Sequence, residues 1–457
     1  MSNHSSEVLF VSHASLLIRK GERYILTDPW FQQPAFGSLL PSLPMSIHPA
    51  YLAALEEKLT IVISHEHTDH FDEDMLALFQ PDTQIIIANF NHATLYQRLQ
   101  KMGFTNLIQI DNTGLTLDNG IHVRAFVTQN PVHEDAIFTF DTQDGLVIHA
   151  NDHWFAWPEA SYTAVREQVS HYAPHQVTLF GQAHSATGYP LNAKALTDAE
   201  KKTQVFQIAQ HMLHEELKSA AELGVSRFVS YAGFIAPYVE GFDHYRDLVL
   251  IPSAQQMQRL ADTQPAIQAL LEQIDILEFY PQDVLDVATG HIRKAFISSQ
   301  HYSDTQIKQA GSRFYQYYQV IQATNTYAPT TTELQEAELD QFVKTMTHFL
   351  NQHFAKLDPA HAAKAQTFQL VVPNMNQTRY VTIGEPSIVC QTSATADLTL
   401  EVKADLLAKT IRKQMSFENL YTGFVGLWSF ATSKQDCSDL LNGLMIFAHN
   451  YQYRDQL

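Results

Sequence analysis

The sequence predicts a layered α+β protein with more than one core, and three observations carry that reading. The chain has 457 residues, too many for one ordinary core and suited to two or three domains. Its first half alternates short apolar runs with helical stretches over about residues 1–250, the signature of sheets covered by helices. A polar run from Tyr327 through Thr332, with one proline, then precedes a long helix and a strand-rich tail. The composition agrees. At 45% hydrophobic and 17% charged it is globular, clear of disordered or coiled-coil ranges.

Taken in order, Val8–Val11, Leu16–Ile18 and Tyr24–Leu26 read as strands of a meander. Further short strands are predicted at Ile61–Ile63, Ile85–Ala88, Val123–Val127, Ile137–Phe140, Leu146–Ile148, Val177–Phe180 and Phe228–Ser230. Helical stretches fall between them, around Ala50–Glu57, Asp72–Leu78, His92–Lys101 and Ser161–Val169. Val205–Leu223 has apolar residues at helical spacing and stops at Gly224, which suits a residue just past a helix end. Pro252–Tyr327 reads as mostly helical and Gln-rich. Beyond the linker run come a helix over Glu333–Leu357, strands at Thr367–Val372, Arg379–Ile383 and Ala396–Val402, a helix near Ala404–Lys413 and a strand at Val425–Phe430. The expected domains are therefore 1–250, a helical extension 251–330 and a C-terminal α+β domain 331–457.

Charge and cysteine content exclude several classes. Lys and Arg number 29 against 48 Asp and Glu, a net charge of −19. Such a surface repels nucleic acid and anionic membranes at long range, while still allowing a small substrate in a local metal-charged pocket. Cys390 and Cys437 are the only cysteines, too few for a disulfide framework or a Cys-rich zinc site, and a Rieske cluster with its two Cys and two His is not expected from them. No stretch approaches the ~18 apolar residues of a membrane span, and the first residues show no signal-peptide pattern. The expectation is a cytoplasmic protein without nucleic-acid or membrane partners.

One motif dominates: Ser64-His65-Glu66-His67-Thr68-Asp69-His70, directly after the apolar run Leu59–Ile63. Three imidazoles and a carboxylate crowd one loop at the end of a buried strand. A turn there lets His65 and His67 point one way and Asp69 and His70 another, so one loop serves two metal ions. Nitrogen and oxygen donors without thiolate suit iron, zinc or manganese.

This motif and its surroundings resemble the metallo-β-lactamase superfamily over about residues 5–235. The resemblance implies an αββα sandwich. It also implies that the buried Asp28, in Leu26-Thr27-Asp28-Pro29-Trp30, orients a ligand histidine. It makes His133 the third histidine of one metal, with neighbouring Glu134 and Asp135 as rivals, and Asp152 the carboxylate shared by both metals. His13, in Val-Ser-His-Ala-Ser, resembles an early His-Ala-Ser of lactonase-like and phospholipase-D-like branches; a core histidine and an active-site role both stay open.

Most members carry a last ligand histidine after a late strand, but here that strand ends Ser230-Tyr231-Ala232-Gly233. His184 is an alternative donor or a pocket wall. Three segments, Ala186–Pro190, Tyr231–Phe234 and Ser416–Phe424, instead resemble the CMP-N-acetylneuraminate hydroxylase group. That resemblance, without a Rieske module in this chain, implies a dinuclear iron oxygenase acting on a polar small molecule. Electrons would come from a separate ferredoxin or Rieske protein. The alternative is a hydrolase of an ester, lactone or phosphodiester with the same ligands, a metal-bridging hydroxide and Asp152 holding it. A degenerate binding module is a third reading. His211 and His214 read as a solvated helix face, and Tyr315, Tyr317 and Tyr318 as packing or an interface that leaves a homo-oligomer open.

Overall fold

The structure, a computed structural model, describes residues 5–31, 33–43, 45–128, 134–151, 158–182, 187–237, 243–295, 333–355, 366–383, 396–423, 425–431 and 437–453. Two large sheets form the first part. The eight-stranded sheet is ordered Ile292–Arg293, Val284–Asp286, Glu7–Ser12, Ser15–Lys20, Arg23–Thr27, Leu59–Ile63, Gln84–Ala88, Leu107–Ile110. The seven-stranded sheet is ordered Asp275–Ile276, Arg227–Ser230, Val177–Gly181, Leu146–Asn151, Ala136–Asp141, His122–Val127, Leu115–Thr116. Each begins as an antiparallel meander and continues as parallel strands, as with Arg23–Thr27 beside Leu59–Ile63 and Leu146–Asn151 beside Val177–Gly181.

Strand alternation sorts the side chains of the second sheet into two layers. Phe138, Phe140, Val147, Phe180 and Val229 join Phe10, Leu16, Ile18, Leu26 and Ile61 in the core between the sheets. Their neighbours Ile137, Ile148, Leu179 and Phe228 face the other way, against Val165, Val169, Leu213 and Leu217 on outer helices. Helix, sheet, sheet and helix thus stack as the expected αββα sandwich.

The helix Asp198–Leu223 begins seven residues before its apolar periodicity does. Its first turn is charged, and the start is set by Thr197 and Glu200, which cap each other's backbone N–H. Gly224 ends it at φ 76°, in the left-handed region. After the helices Ala254–Asp262 and Pro265–Leu271, the segment that reads as helical turns into strands. Asp275–Ile276 pairs with Arg227–Ser230, and Val284–Asp286 pairs with Glu7–Ser12, so this stretch extends both sheets. Two- and three-residue strands are too short to show a period. The linker run and Tyr315, Tyr317 and Tyr318 lie outside the described residues.

A four-stranded sheet, ordered Gln377–Thr382, Thr367–Val372, Leu398–Glu401, Leu427–Phe430, forms the C-terminal α+β unit with the helices Glu336–Phe354, Ala404–Ile411 and Ser438–Tyr453. It has its own core around Phe342, Met346, Phe368, Leu400, Leu407, Trp428 and Phe447. Its segment from Ser416 to Gly423 is tied to the sandwich. Gly188 N donates to Thr422 O at 2.6 Å, and Asn192 Nδ2 donates to Tyr421 O at 2.7 Å. Gly423 has to be glycine, because a Cβ there would sit 2.3 Å from Phe36 O. Two segments of the hydroxylase resemblance, around Gly188 and Thr422, therefore meet in space. Among the described residues no helix is long and apolar enough to cross a membrane.

Candidate metal centre

Functional groups gather where parallel strands end. Asp28 follows Arg23–Thr27, Ser64 and the histidine motif follow Leu59–Ile63, and Tyr231 follows Arg227–Ser230. The carboxyl ends of parallel strands are where open α/β sheets leave a crevice for ligands.

Within this crevice His65 Nε2 and His67 Nδ1 lie 2.8 Å apart. The other ring nitrogen of His65 lies 3.1 Å from Asp135 Oδ1 and 2.9 Å from Ser64 Oγ. Beside this pair, Asp69 Oδ2 is 3.2 Å from His13 Nε2 and 3.7 Å from His70 Nε2. One ligand atom from each of His13, Asp69 and His70 falls within 4.8 Å of the others, and all three residues are buried. The remaining oxygen of Asp69, Oδ1, is buried with no hydrogen-bond partner among the described residues. A crowd of imidazole nitrogens and a carboxylate oxygen at these spacings fits donors lying ~2.0–2.2 Å from a shared cation. The chemistry of the site therefore fits a metal.

Asp28 is the hub behind the donors. Its Oδ2 accepts from His70 Nδ1 at 2.9 Å, His149 Nε2 at 2.9 Å and Ser64 Oγ at 2.8 Å, and its Oδ1 accepts from Ser64 N at 2.7 Å. Burial alone would raise the Asp28 carboxyl, but the charges and hydrogen bonds of His149 and His70 outweigh it and hold it well below the usual carboxylate range. Asp69 behaves alike: burial is opposed by His70, His13 and His67, and the carboxyl is held low. Glu418, inserted from the C-terminal unit, goes the other way. Its burial outweighs Arg98 and His65, and it is pushed up to about 7.

Of the residues singled out from sequence, His13, Asp28, His65, His67, Asp69 and His70 are brought together here. Glu134 accepts from Asn91 Nδ2 and, at 3.2 Å, from His92 N, while its neighbour Asp135 is the one beside His65. His133, Asp152 and His184 lie outside the described residues. Behind Asp28, His149 and through it Tyr231 were missed. His149 sits on the inter-sheet face of Leu146–Asn151, two residues from Val147. It gives Nε2–H to Asp28, which leaves Nδ1 to accept from the Tyr231 hydroxyl. The late strand thus delivers a phenol to the support of His70 rather than an imidazole to a metal. Tyr231→Phe leaves a buried acceptor unpaired and is expected to cost about 1–3 kcal/mol in denaturant unfolding. Its metal content should be unchanged; loss of a metal equivalent would show that Tyr231 does more than support His149.

Comparison with known proteins bears on the fold. Residues 7–156 match the family model of the β-lactamase superfamily domain. Residues 7–156 thus carry a β-lactamase superfamily domain, in keeping with the αββα sandwich. A Mycobacterium tuberculosis protein described as a candidate Rieske 2Fe-2S iron-sulfur protein is 27% identical over 246 residues, 50% of this chain and 45% of that protein. The cytidine monophosphate-N-acetylneuraminic acid hydroxylase of Asterias rubens is 23% identical over 252 residues, 52% of this chain and 36% of that one. The chain therefore spans less than half the length of these relatives. Among solved structures, an isothiocyanate hydrolase from Delia radicum gut bacteria aligns with 61% of this chain and 98% of its own, at 12% identity and a TM-score of 0.40. CmlA, a diiron β-hydroxylase from Streptomyces venezuelae, aligns with 60% of this chain and 53% of its own, at 17% identity and a TM-score of 0.36.

Proposed function

We propose that this chain is a metal-dependent oxygenase that hydroxylates a polar, nucleotide-linked small molecule at a dinuclear His/Asp centre. The observation that carries the reading is the buried set of His13, Asp69 and His70. Two imidazoles and one carboxylate with further positions open are the donor set of non-haem iron oxygenases. In this reading His65, His67 and His133 would hold one ion, His13, Asp69 and His70 the other, and Asp152 would serve both. Iron is the proposed metal, with zinc and manganese as alternatives that the same donors accept. Bound iron would supply the activation of O2, with electrons from a separate Rieske or ferredoxin-type protein.

The chain's own residues hold the donors in place. Asp135 fixes the ring of His65, and Asp28 fixes the ring of His70. Trp30 meets His13 edge-on at 5.2 Å, and Phe36 meets His67 at 5.7 Å, so both imidazoles pack against aromatic rings. The relative named as a hydroxylase, and those described as Rieske proteins, support oxidation and an electron donor of that class.

Metal and oxygen chemistry test the reading directly. Protein purified without oxygen is expected to contain iron, and its ferrous form to be oxidised on mixing with air. With reductant and substrate, O2 consumption should match product. A protein that holds zinc alone, ignores O2 and cleaves a generic ester or phosphodiester would replace this reading with the hydrolase.

A further inference from the structure

Two of the three motif histidines share a pattern. Each turns one ring nitrogen toward the donor cluster and the other toward a buried carboxylate: His65 toward Asp135, and His70 toward Asp28. His67 faces inward through Nδ1, 2.8 Å from His65 Nε2. A neutral imidazole has one N–H. If Nδ1 is to give its lone pair to a metal, the proton has to sit on Nε2, where an acceptor stabilises it. The carboxylate facing that nitrogen is Glu418, whose Oε1 lies 4.0 Å from His67 Nε2.

Glu418 is an unusual residue to find there. It belongs to the C-terminal unit, on the short helix Glu418–Tyr421, yet it is only 5% exposed. Its Oε2 is buried with no hydrogen-bond partner among the described residues. Burying a carboxylate is costly unless it is paired, so a fold that places one beside His67 calls for a partner there. The segment is also held firmly. Thr422 and Tyr421 carbonyls are bonded to Gly188 and Asn192 of the sandwich, and Gly423 lies against the backbone of Phe36. The present 4.0 Å is an ion-pair distance, about 1 Å beyond a hydrogen bond. A cation on Nδ1 makes the Nε2 proton more acidic and strengthens the attraction across that gap.

We propose that Glu418 is a positioning residue of the metal centre: it accepts the outer N–H of His67 and so makes metal loading depend on the docked C-terminal unit. The proposal rests on the motif being a metal centre, and it gives the C-terminal unit a role in that centre.

The test is Co(II) titration of the full metal-free chain without oxygen, followed by visible absorption, for wild type, Glu418→Ala and Glu418→Gln. Glu418→Ala is expected to bind one Co(II) about ten- to a hundredfold more weakly, with an altered spectrum. The Glu418→Gln side chain keeps the shape and an acceptor oxygen, so it should fall between the other two. Thermal melting of the three metal-free proteins checks the fold, and the isosteric Gln variant carries the test if the Ala variant does not fold. Wild-type affinity and spectrum in both variants would overturn the role of Glu418 while leaving the metal centre standing. A wild-type chain that takes up no Co(II) would overturn the metal centre itself.

Discussion

In the proposed dinuclear centre, Asp69→Ala is expected to lose one of two metal equivalents and at least about a hundredfold in turnover, because the donor geometry around that ion would collapse with it. Asp69 is the carboxylate of the His13, Asp69 and His70 set, and its Oδ1 has no other partner among the described residues. Removing it leaves the two imidazoles with only the shared carboxylate proposed at Asp152. Asp69→Asn should behave nearly as badly despite its matched shape, since an amide is a weak ligand and brings no charge. His13→Ala separates the two readings of that residue. A ligand lost there takes metal with it, whereas a histidine that only packs against Trp30 costs stability and leaves metal content alone. Metal analysis after dialysis, beside turnover, decides each case. Full stoichiometry in Asp69→Ala would reject the assignment of this ion.

Asp28→Ala should destabilise the sandwich by about 3–5 kcal/mol, the cost of removing one partner from a buried charged pair. Four hydrogen bonds end on this carboxylate, from Ser64 N, Ser64 Oγ, His70 Nδ1 and His149 Nε2. Their loss strands two imidazoles and a backbone N–H inside the core. It also frees His70 to turn away from the donor cluster, so metal affinity should fall together with stability. Asp28→Asn rescues only in part, because its carbonyl oxygen still accepts but the NH2 in place of the other oxygen meets a partner that is itself a donor. Urea unfolding followed by the near-ultraviolet signal of Trp30 and its neighbours measures the effect. A loss below about 1 kcal/mol would mean that the network is not the support described here.

How much of this is legible in the chain depends on whether the signal is local. The motif from His65 to His70 is local: a loop after a buried strand, with ligand types at ligand spacing, and the structure puts it at a strand end. Asp28 was legible only through the resemblance, as the buried carboxylate that ends the strand meander. His149 was not, because one histidine in the buried strand Leu146–Asn151 looks like any core position. The signal that points to it is Asp28 itself, since a buried carboxylate needs donors from some neighbouring strand. Glu418 was harder still. The resemblance marked its segment, yet nothing near it says that it lands beside His67 from a separate core. The strands at residues 275–293 failed for a third reason. They are short additions to existing sheets, and their conformation comes from the neighbours they pair with rather than from their own pattern.

One of those late strands has a bearing on how the protein could be cut. Glu7–Ser12 is an apolar strand carrying Val8, Phe10 and Val11, and its outer side is covered by Val284–Asp286. The rim beyond that is only Ile292–Arg293, two residues long and ending in a charge, a poor template for adhesion. A fragment that stops at residue 250 keeps the whole motif but strips this cover. It then exposes the backbone groups of Glu7–Ser12 that face away from Ser15–Lys20 to any other copy in solution. Clumping of such a fragment would say little about whether the half that carries the motif is well made, and much about which end of the chain closes its border.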